Sequence, residues 1–168
     1  VSYQTAFLKY YYPKEFMAAL MTSVQDNTAK VSEYILTCRQ MGIGILPPDI
    51  NEGYSGFTVS GDSIRYGLSA IKSVGRSVVE QIIKERENGG LFRSMDDFVE
   101  RMSNKEVNKR TLENFIKAGA LDSLPGNRRQ KCMVAPEMLD QKNKEKKSVM
   151  EGQMSLFDFA AEDDKKNF

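Results

Sequence analysis

Short apolar runs at helical spacing, each closed by a glycine, constrain the fold of this chain more than any other feature of its sequence. Within each run the large apolar residues recur three or four positions apart, as they do along the buried face of a helix. A glycine just past such a run favours the left-handed backbone that ends a helix. The runs and their glycines are residues 31 to 41 with Gly42, residues 78 to 86 with Gly89 and Gly90, and residues 112 to 116 with Gly119. The sequence therefore predicts several short helices. Residues placed to begin them are Pro13, Asn27 or Thr28, Ser94 and Asn108.

Strand character is confined to one part of the chain. Ile43, Ile45 and Leu46 indicate a short strand that two prolines end. Residues 57 to 60 and 63 to 66 flank a Gly-Asp pair, which favours the II′-type turn of an antiparallel hairpin. A single hairpin does not form an independent sheet domain. The predicted fold is therefore mainly α with a small β-hairpin, of the α+β class.

The helical pattern weakens after Leu124. A helix there is at best broken by Pro136, and Gln141 to Ser148 contain four lysines and no large apolar residue. Polar, highly charged stretches of this kind behave as flexible spacers. We therefore predict a flexible linker over these residues.

The composition excludes several kinds of chemistry. The 168 residues include no histidine, which removes triads, general bases and metal sites that use imidazole. Cys38 and Cys132 lie too far apart in sequence for a zinc knuckle or a redox pair, and we expect them to be reduced in an intracellular protein. The longest apolar run, Phe16 to Met21, is far shorter than the ~20 residues of a membrane span. We expect a soluble chain without catalytic residues, and its start at Val1 indicates a piece of a longer protein.

Positive charge is concentrated in the middle of the chain. Residues 101 to 150 hold 12 lysines and arginines against 6 acids, whereas residues 1 to 100 hold 10 against 12 and residues 151 to 168 hold 2 against 5. An acidic partner is therefore expected at the middle block. Because such blocks are commonly just solvated faces, the charge alone does not decide the matter.

Two glycine turns between helical stretches are candidates for phosphate binding. At the first, residues 71 to 75, the N–H groups and positive dipole end of the following helix favour an anion. The second, around Gly119, is a looser copy. One such turn is commonly only a helix cap, but two turns flanked by cations favour a nucleic-acid backbone. The candidate residues are Lys72, Ser73, Val74, Gly75, Arg76 and Ser77 at the first turn, and Lys117, Ala118, Gly119 and Arg128 at the second.

A separate signal lies near the C-terminus, beyond the predicted linker. Large apolar residues stand there in an acidic stretch that has no core of its own. Exposed apolar side chains in such a segment indicate an anchor for a pocket on another protein. The candidate anchor residues are Gln153, Met154, Ser155, Leu156 and Phe157. The alternative is a terminal element that folds back onto the chain.

Six stretches, taken in order, closely resemble the alpha subunit of bacterial DNA polymerase III, and they cover essentially the whole chain. The stretches are SYQTAFLK at 2–9, YPKEFMAAL at 12–20, DNT at 26–28, LPPDIN at 46–51, YGLSAIKSVG at 66–75 and IKAGALDS at 116–123. The chain departs from the family at two of the candidate positions. Ser73 stands where a first glycine is common, and Met154 stands where leucine is typical.

The resemblance implies a segment of a DNA-directed DNA polymerase, a nucleotidyltransferase. It assigns residues 1–52 to the end of the fingers domain, residues 53–135 to a tandem helix-hairpin-helix DNA-binding region, and residues 136–168 to a flexible linker with a sliding-clamp motif at Gln153–Phe157. The catalytic aspartates and Mg²⁺ of this family lie upstream of Val1. We therefore expect no cofactor in this segment and no nucleotide incorporation by it alone.

The resemblance implies three kinds of partner: duplex DNA bound without sequence preference, the beta sliding clamp, and other subunits of the replicative polymerase. It also implies that the protein acts in the bacterial cytoplasm and does not contact a membrane. Two other classes stay open. The chain could be a free-standing nucleic-acid-binding adaptor, which a start codon directly before Val1 would favour. It could also be a protein–protein scaffold whose glycine turns are only caps, which a lack of salt-dependent DNA binding would favour.

Overall fold

The computed structural model describes the backbone of residues 2–102 and 107–166, and the side chains of residues 3–102 and 107–154. Helices dominate this part of the chain, and the prediction of a mainly α fold with a small hairpin is confirmed. The helices are α1 (Ser2–Tyr11), α2 (Pro13–Ser23), α3 (Thr28–Gln40), α4 (Arg76–Gly89), α5 (Met95–Met102), α6 (Lys109–Ala118) and α7 (Arg128–Lys166). The strands are β1 (Gly44–Leu46), β2 (Thr58–Ser60) and β3 (Ser63–Arg65), and a single 3₁₀ turn covers Leu68–Ala70.

The helices begin where local capping chemistry predicts. Asn27, rather than Thr28, caps α3, because its side chain accepts the Lys30 N–H at 3.2 Å. Asn108 accepts the Thr111 N–H at 2.9 Å in the same way at α6. A third cap precedes α5, where the hydroxyl of Ser94 accepts the N–H of Asp97 at 3.1 Å. Each bond satisfies one of the N–H groups that a helix start leaves without an intrahelical partner.

The three strands form one sheet in the order β1-β3-β2. β2 and β3 pair antiparallel across Gly61, whose φ of 60° suits the first central position of the predicted II′-type turn. β1 adds to the other edge of β3 in parallel, with Ile45 opposite Ile64. The sequence predicted the hairpin and the strand separately but not their pairing, because β1 reaches β3 only through the long connection that starts at Pro47.

The buried apolar residues form two clusters. The first core combines α2, α3 and the sheet, and its members include Met17, Met21, Val31, Cys38, Phe57 and Ile64. The second core combines α4, α5, α6 and the start of α7, and its members include Leu68, Ile82, Phe98, Phe115, Leu121 and Leu139. The clusters do not divide at residues 52 and 53. The hairpin, after that point, packs in the first core, and Ile50, before it, packs in the second.

The C-terminal segment differs from its prediction. Gln141 to Ser148 were predicted to be a flexible linker, and this is wrong, since the whole stretch lies within α7. Pro136 stands inside the same helix and does not end it. Ala135 and Leu139 on either side of the proline are buried in the second core, and this packing offsets the hydrogen bond that proline cannot make.

Local chemistry accounts for the exposed part of α7. Lysine, glutamate and glutamine are good helix formers, and charges three or four positions apart stabilise an exposed helix. Lys142 and Glu145 form such a pair at 3.1 Å, and Gln141 bonds the same glutamate at 3.5 Å. A stretch without apolar residues therefore continues a helix that the core has already begun.

Candidate nucleic-acid interface

The first candidate turn joins the 3₁₀ turn to α4. The N–H of Ile71 bonds Leu68 O at 3.3 Å, and the N–H of Val74 bonds Ile71 O at 3.2 Å, so the chain reverses within a few residues. Ser73 has a φ of 62°, in the left-handed region that glycine adopts without cost. A serine there costs about 1–2 kcal/mol relative to the right-handed conformation. The turn thus keeps a tight geometry with a serine where the family commonly has glycine.

The side chains of this turn separate by type. Ile71 and Val74 are buried in the second core and hold the turn in place. Lys72 and Arg76 are exposed on either side of Gly75, which directly precedes α4 and supplies no side-chain cap. The N–H groups of a first helical turn lack intrahelical acceptors, and the helix dipole is positive at that end. The turn therefore presents cations and the start of a helix in one place.

The second candidate turn has different hydrogen bonding. Gly119 has a φ of 86° and ends α6, with its N–H on Ile116 O at 3.1 Å and the next N–H, of Ala120, on Phe115 O at 3.0 Å. These amides are already bonded, and the next helix starts only at Arg128. The second turn can thus contribute the exposed Lys117 to a binding site, but not the backbone N–H groups that its resemblance to the first turn predicted.

Arg128 is engaged in an ion pair. Its guanidinium bonds the Asp122 carboxylate twice, at 2.6 Å from Nη2 to Oδ2 and 3.0 Å from Nε to Oδ1. The hydrogen bond from Arg128 lowers the pKa of the Asp122 carboxyl. A Cβ on Gly119 would lie 2.7 Å from Arg128 Nη2, so the pair covers the turn closely. Arg128 therefore stabilises the turn with a charge that is locally balanced, and it is a weaker candidate for a phosphate than Lys72 or Lys117.

Lys72 and Lys117 line one cleft, which we call the junction cleft, of about 450 Å³. Its lining includes Tyr66, which packs against both hydrophobic cores, so the cleft lies where the two cores meet. The other residues that line it are Thr28, Pro48, Ala70, Ile71, Asn114 and Ala118. Lysines of the two candidate turns are thus brought to the same place.

A second cleft of about 390 Å³, the turn cleft, adjoins the first on the side of Gly75 and shares Thr28 and Lys72 with it. Asp26 is the one carboxylate among the described residues that line either cleft. Neither Lys72 nor Lys117 forms a salt bridge with any carboxylate in residues 3–102 and 107–154. Their charges are therefore available to an external anion.

Comparison with known proteins agrees with this geometry. A family model described as the helix-hairpin-helix motif matches residues 42–131, which include both candidate turns and most of the second core. The chain belongs to the helix-hairpin-helix family. The turn at Lys72–Gly75 lies within the matched residues and joins the 3₁₀ turn at Leu68–Ala70 to α4.

The resemblance to bacterial DNA polymerase III is confirmed. The chain is 46% identical over 136 residues to the DNA polymerase III subunit alpha of Thermus aquaticus, a match that covers 81% of the chain. It is 45% identical over 159 residues to that of Neisseria meningitidis and 41% identical over 157 residues to that of Mycobacterium tuberculosis, each over 94% of the chain. The matches cover 11–14% of the relatives' own length, so the chain is similar to one segment of these subunits.

Sequence reasoning missed two polar residues of the junction cleft. Asn114 lies three positions before Lys117 on α6, and helical spacing places the two on the same side of the helix. That spacing could have indicated Asn114 once Lys117 was a candidate. Thr28 at the start of α3 reaches the hairpin of Lys72 only through the tertiary fold, and no local pattern marks it.

Two buried cations hold the helix-hairpin-helix region together, and the sequence did not single them out. Lys131 is only 2% exposed and bonds Leu121 O at 2.5 Å and Leu124 O at 2.8 Å, which ties the start of α7 to the segment after Gly119. Burial lowers the pKa of the Lys131 ammonium group. Arg86 of α4 bonds the carbonyls of Ile50 and Gly53 at 2.8 and 2.9 Å.

The candidate clamp motif lies on α7. Gln153 and Met154 are exposed there, well past Leu139, the last buried residue of the described helix. The side chains of Ser155, Leu156 and Phe157 lie outside the described residues. Across the described ranges, no helix has both the length and the apolar character to cross a membrane.

The described residues also offer no fit for the magnesium ions that the resemblance implies for whole polymerases. No group of three or more acidic or cysteine side chains in the described part of the chain is arranged to hold a metal ion.

Proposed function

We propose that this chain is a DNA-binding segment of a bacterial DNA polymerase III alpha subunit, acting in the cytoplasm, and that it holds duplex DNA by the phosphate backbone without reading the sequence. The observation that carries the proposal is the turn at Lys72–Gly75, where Lys72 and Arg76 flank the start of α4 and form no salt bridge within the described part of the chain. Ammonium groups, guanidinium groups and backbone N–H groups recognise phosphate whatever base it carries. Polymerisation itself we assign to the longer protein of which the matched relatives are examples.

A salt series tests this proposal. We expect the purified chain to bind two 20-base-pair duplexes of unrelated sequence equally, with a log–log salt slope that corresponds to roughly two to four phosphates. The double variant Lys72→Ala, Arg76→Ala should flatten that slope to the same extent for both duplexes, because it removes phosphate contacts and no base contact. Fluorescence anisotropy at several salt concentrations measures the slopes.

The control for this series is Lys84→Ala, which removes one positive charge from an exposed position about two turns further along α4. It should leave the slope nearly unchanged. A loss confined to one duplex would contradict backbone recognition. If even the parent chain shows no salt-dependent DNA binding, the glycine turns are only helix caps and a protein–protein scaffold becomes the better interpretation.

Removing the charge of Asp26 is expected to strengthen DNA binding, whereas removing the charges of Lys72 and Arg76 is expected to weaken it. It lines the turn cleft next to Lys72, and a carboxylate there repels a phosphate approaching the hairpin. Asp26→Asn removes that charge and keeps a similar shape. We expect DNA binding about two- to threefold tighter at low salt, since exposed charge pairs contribute about 0.2–1 kcal/mol.

The matched control for Asp26→Asn is Asp62→Asn in the exposed turn of the β-hairpin, which lines neither cleft. This variant should leave the affinity within error of the parent. Equal gains in the two variants would show that net charge, rather than the position of Asp26, controls binding.

We further propose that Gln153 to Phe157 bind the beta sliding clamp, in an assembly with other subunits of the replicative polymerase. Support comes from the exposed Gln153 and Met154, and from the continuation of α7 beyond the core. From Leu139 to Gln153 a helix rises about 21 Å, which sets the anchor apart from the DNA-binding surface. Because the DNA contact and the clamp contact are linked, the protein is released only when both dissociate at the same time, which favours processive replication.

A further inference from the structure

The junction cleft brings together lysines from the two candidate turns. Lys72 follows the 3₁₀ turn, and Lys117 lies in the last turn of α6, yet both line the same concave surface. Two ammonium groups that share a cleft and have no carboxylate partner in the described part of the chain repel each other. An anion between them would remove that repulsion.

The rest of the cleft suits the same occupant. Thr28 offers a hydroxyl and Asn114 an amide, and both groups donate hydrogen bonds. Tyr66 and Pro48 form an apolar wall of the kind that a sugar ring can contact. A volume of about 450 Å³ is large enough for one phosphate with its sugar.

The walls of the cleft are held rigidly. Ile71 and Ile116, which precede the two lysines, are buried in the second core. Ile50, two positions after Pro48, donates its N–H to Ala120 O at 3.0 Å and so connects the loop after β1 to the end of α6. The cleft is thus formed before any ligand arrives, which limits the ordering cost of binding.

We propose that Lys72 and Lys117 bind one and the same backbone phosphate in the junction cleft, with Thr28 and Asn114 donating hydrogen bonds to it. The inference rests on the proposed function and goes beyond it, because it replaces two phosphate sites, one for each turn, by a single shared site. It also adds a residue of α3 to the DNA-binding surface.

Salt dependence distinguishes one shared phosphate from two separate ones. If the phosphate is shared, either lysine alone still neutralises it, so Lys72→Ala or Lys117→Ala alone leaves the log–log slope nearly unchanged. The double variant then lowers the magnitude of the slope by about 0.9, the value for one phosphate on duplex DNA. Separate sites would give about 0.9 for each single variant and about 1.8 for the double variant.

The experiment measures the parent, both single variants and the double variant against one 20-base-pair duplex by fluorescence anisotropy, with circular dichroism to show equal helix content. Thr28→Val and Asn114→Leu are each expected to weaken binding roughly tenfold or more, as for the loss of a hydrogen bond to a charged group, without changing the slope. Thr37→Val is the control, since Thr37 lies on α3 outside the cleft and bonds Glu33 O.

The outcomes separate this inference from the function on which it rests. Additive slope losses that total about 1.8 would overturn the shared phosphate while leaving DNA binding by the hairpins intact. Full affinity of Thr28→Val and Asn114→Leu would remove those two residues from the site and overturn the proposed geometry. A parent chain that binds no DNA would overturn the proposed function, and this inference with it.

Discussion

Replacing Arg86 by methionine is expected to lower the free energy of unfolding by about 2–4 kcal/mol. Arg86 is 8% exposed, and its Nη1 donates to the carbonyls of Ile50 at 2.8 Å and Gly53 at 2.9 Å. Its guanidinium also lies over the Tyr54 ring, 5.0 Å from the centroid. Methionine fills a similar volume but leaves both buried carbonyls without a donor.

Urea unfolding followed by circular dichroism measures this change, because the chain has no tryptophan to serve as a fluorescent probe. Arg110→Met, on the exposed start of α6, makes the same chemical change without a buried partner and should stay within about 0.5 kcal/mol of the parent. If the two variants unfold at the same urea concentration, Arg86 does not hold the loop to α4 in the way its hydrogen bonds indicate.

The double substitution Leu156→Ala, Phe157→Ala is expected to abolish binding to a bacterial sliding clamp, a loss of at least about 100-fold. Burying the two side chains contributes about 3–5 kcal/mol before the ordering cost, so an isolated peptide should bind nearer micromolar than nanomolar. DNA binding should not change, because both candidate turns precede α7 in the chain, whereas the motif lies on α7 well past Leu139, and the two sites share no partner.

Calorimetry against the clamp measures this loss. Val149→Ala, Met150→Ala is the matched control, since it truncates two exposed apolar residues of the same helix one to two turns earlier. The control should bind the clamp as the parent does. A Leu156, Phe157 double variant with parental affinity would refute the motif assignment, and an equal loss in the control would show that α7 contacts the clamp over a wider surface.

Much of the first hairpin could be predicted from sequence, and the second could be predicted only in part. A glycine next to a helical run shows that the chain can turn there, but it does not show where the turn's amides point. At Gly119 they bond Ile116 O and Phe115 O, and the next helix starts several residues later. Sequence spacing could not distinguish this helix cap from a hairpin, since both use a glycine with positive φ.

The predicted linker failed for a related reason. Gln141 to Ser148 contain no apolar residue, and composition alone favours a flexible chain. Composition alone does not show that Ala135 and Leu139 pack in the second core and nucleate the helix just before this stretch. Because nucleation is the costly step, residues of good helix propensity then extend the helix at little further cost.

Most elements begin and end where local features of the sequence predict. Asn27 and Asn108 cap their helices, and Gly61 and Gly119 take the positive φ that their turns require, because these effects act within a few residues along the chain. Contacts between groups that are distant in sequence follow from the tertiary fold instead. The parallel pairing of β1 with β3 and the junction cleft between Thr28, Lys72 and Lys117 depend on how two cores pack against each other. Packing is set by all the buried residues together, and no local pattern encodes it.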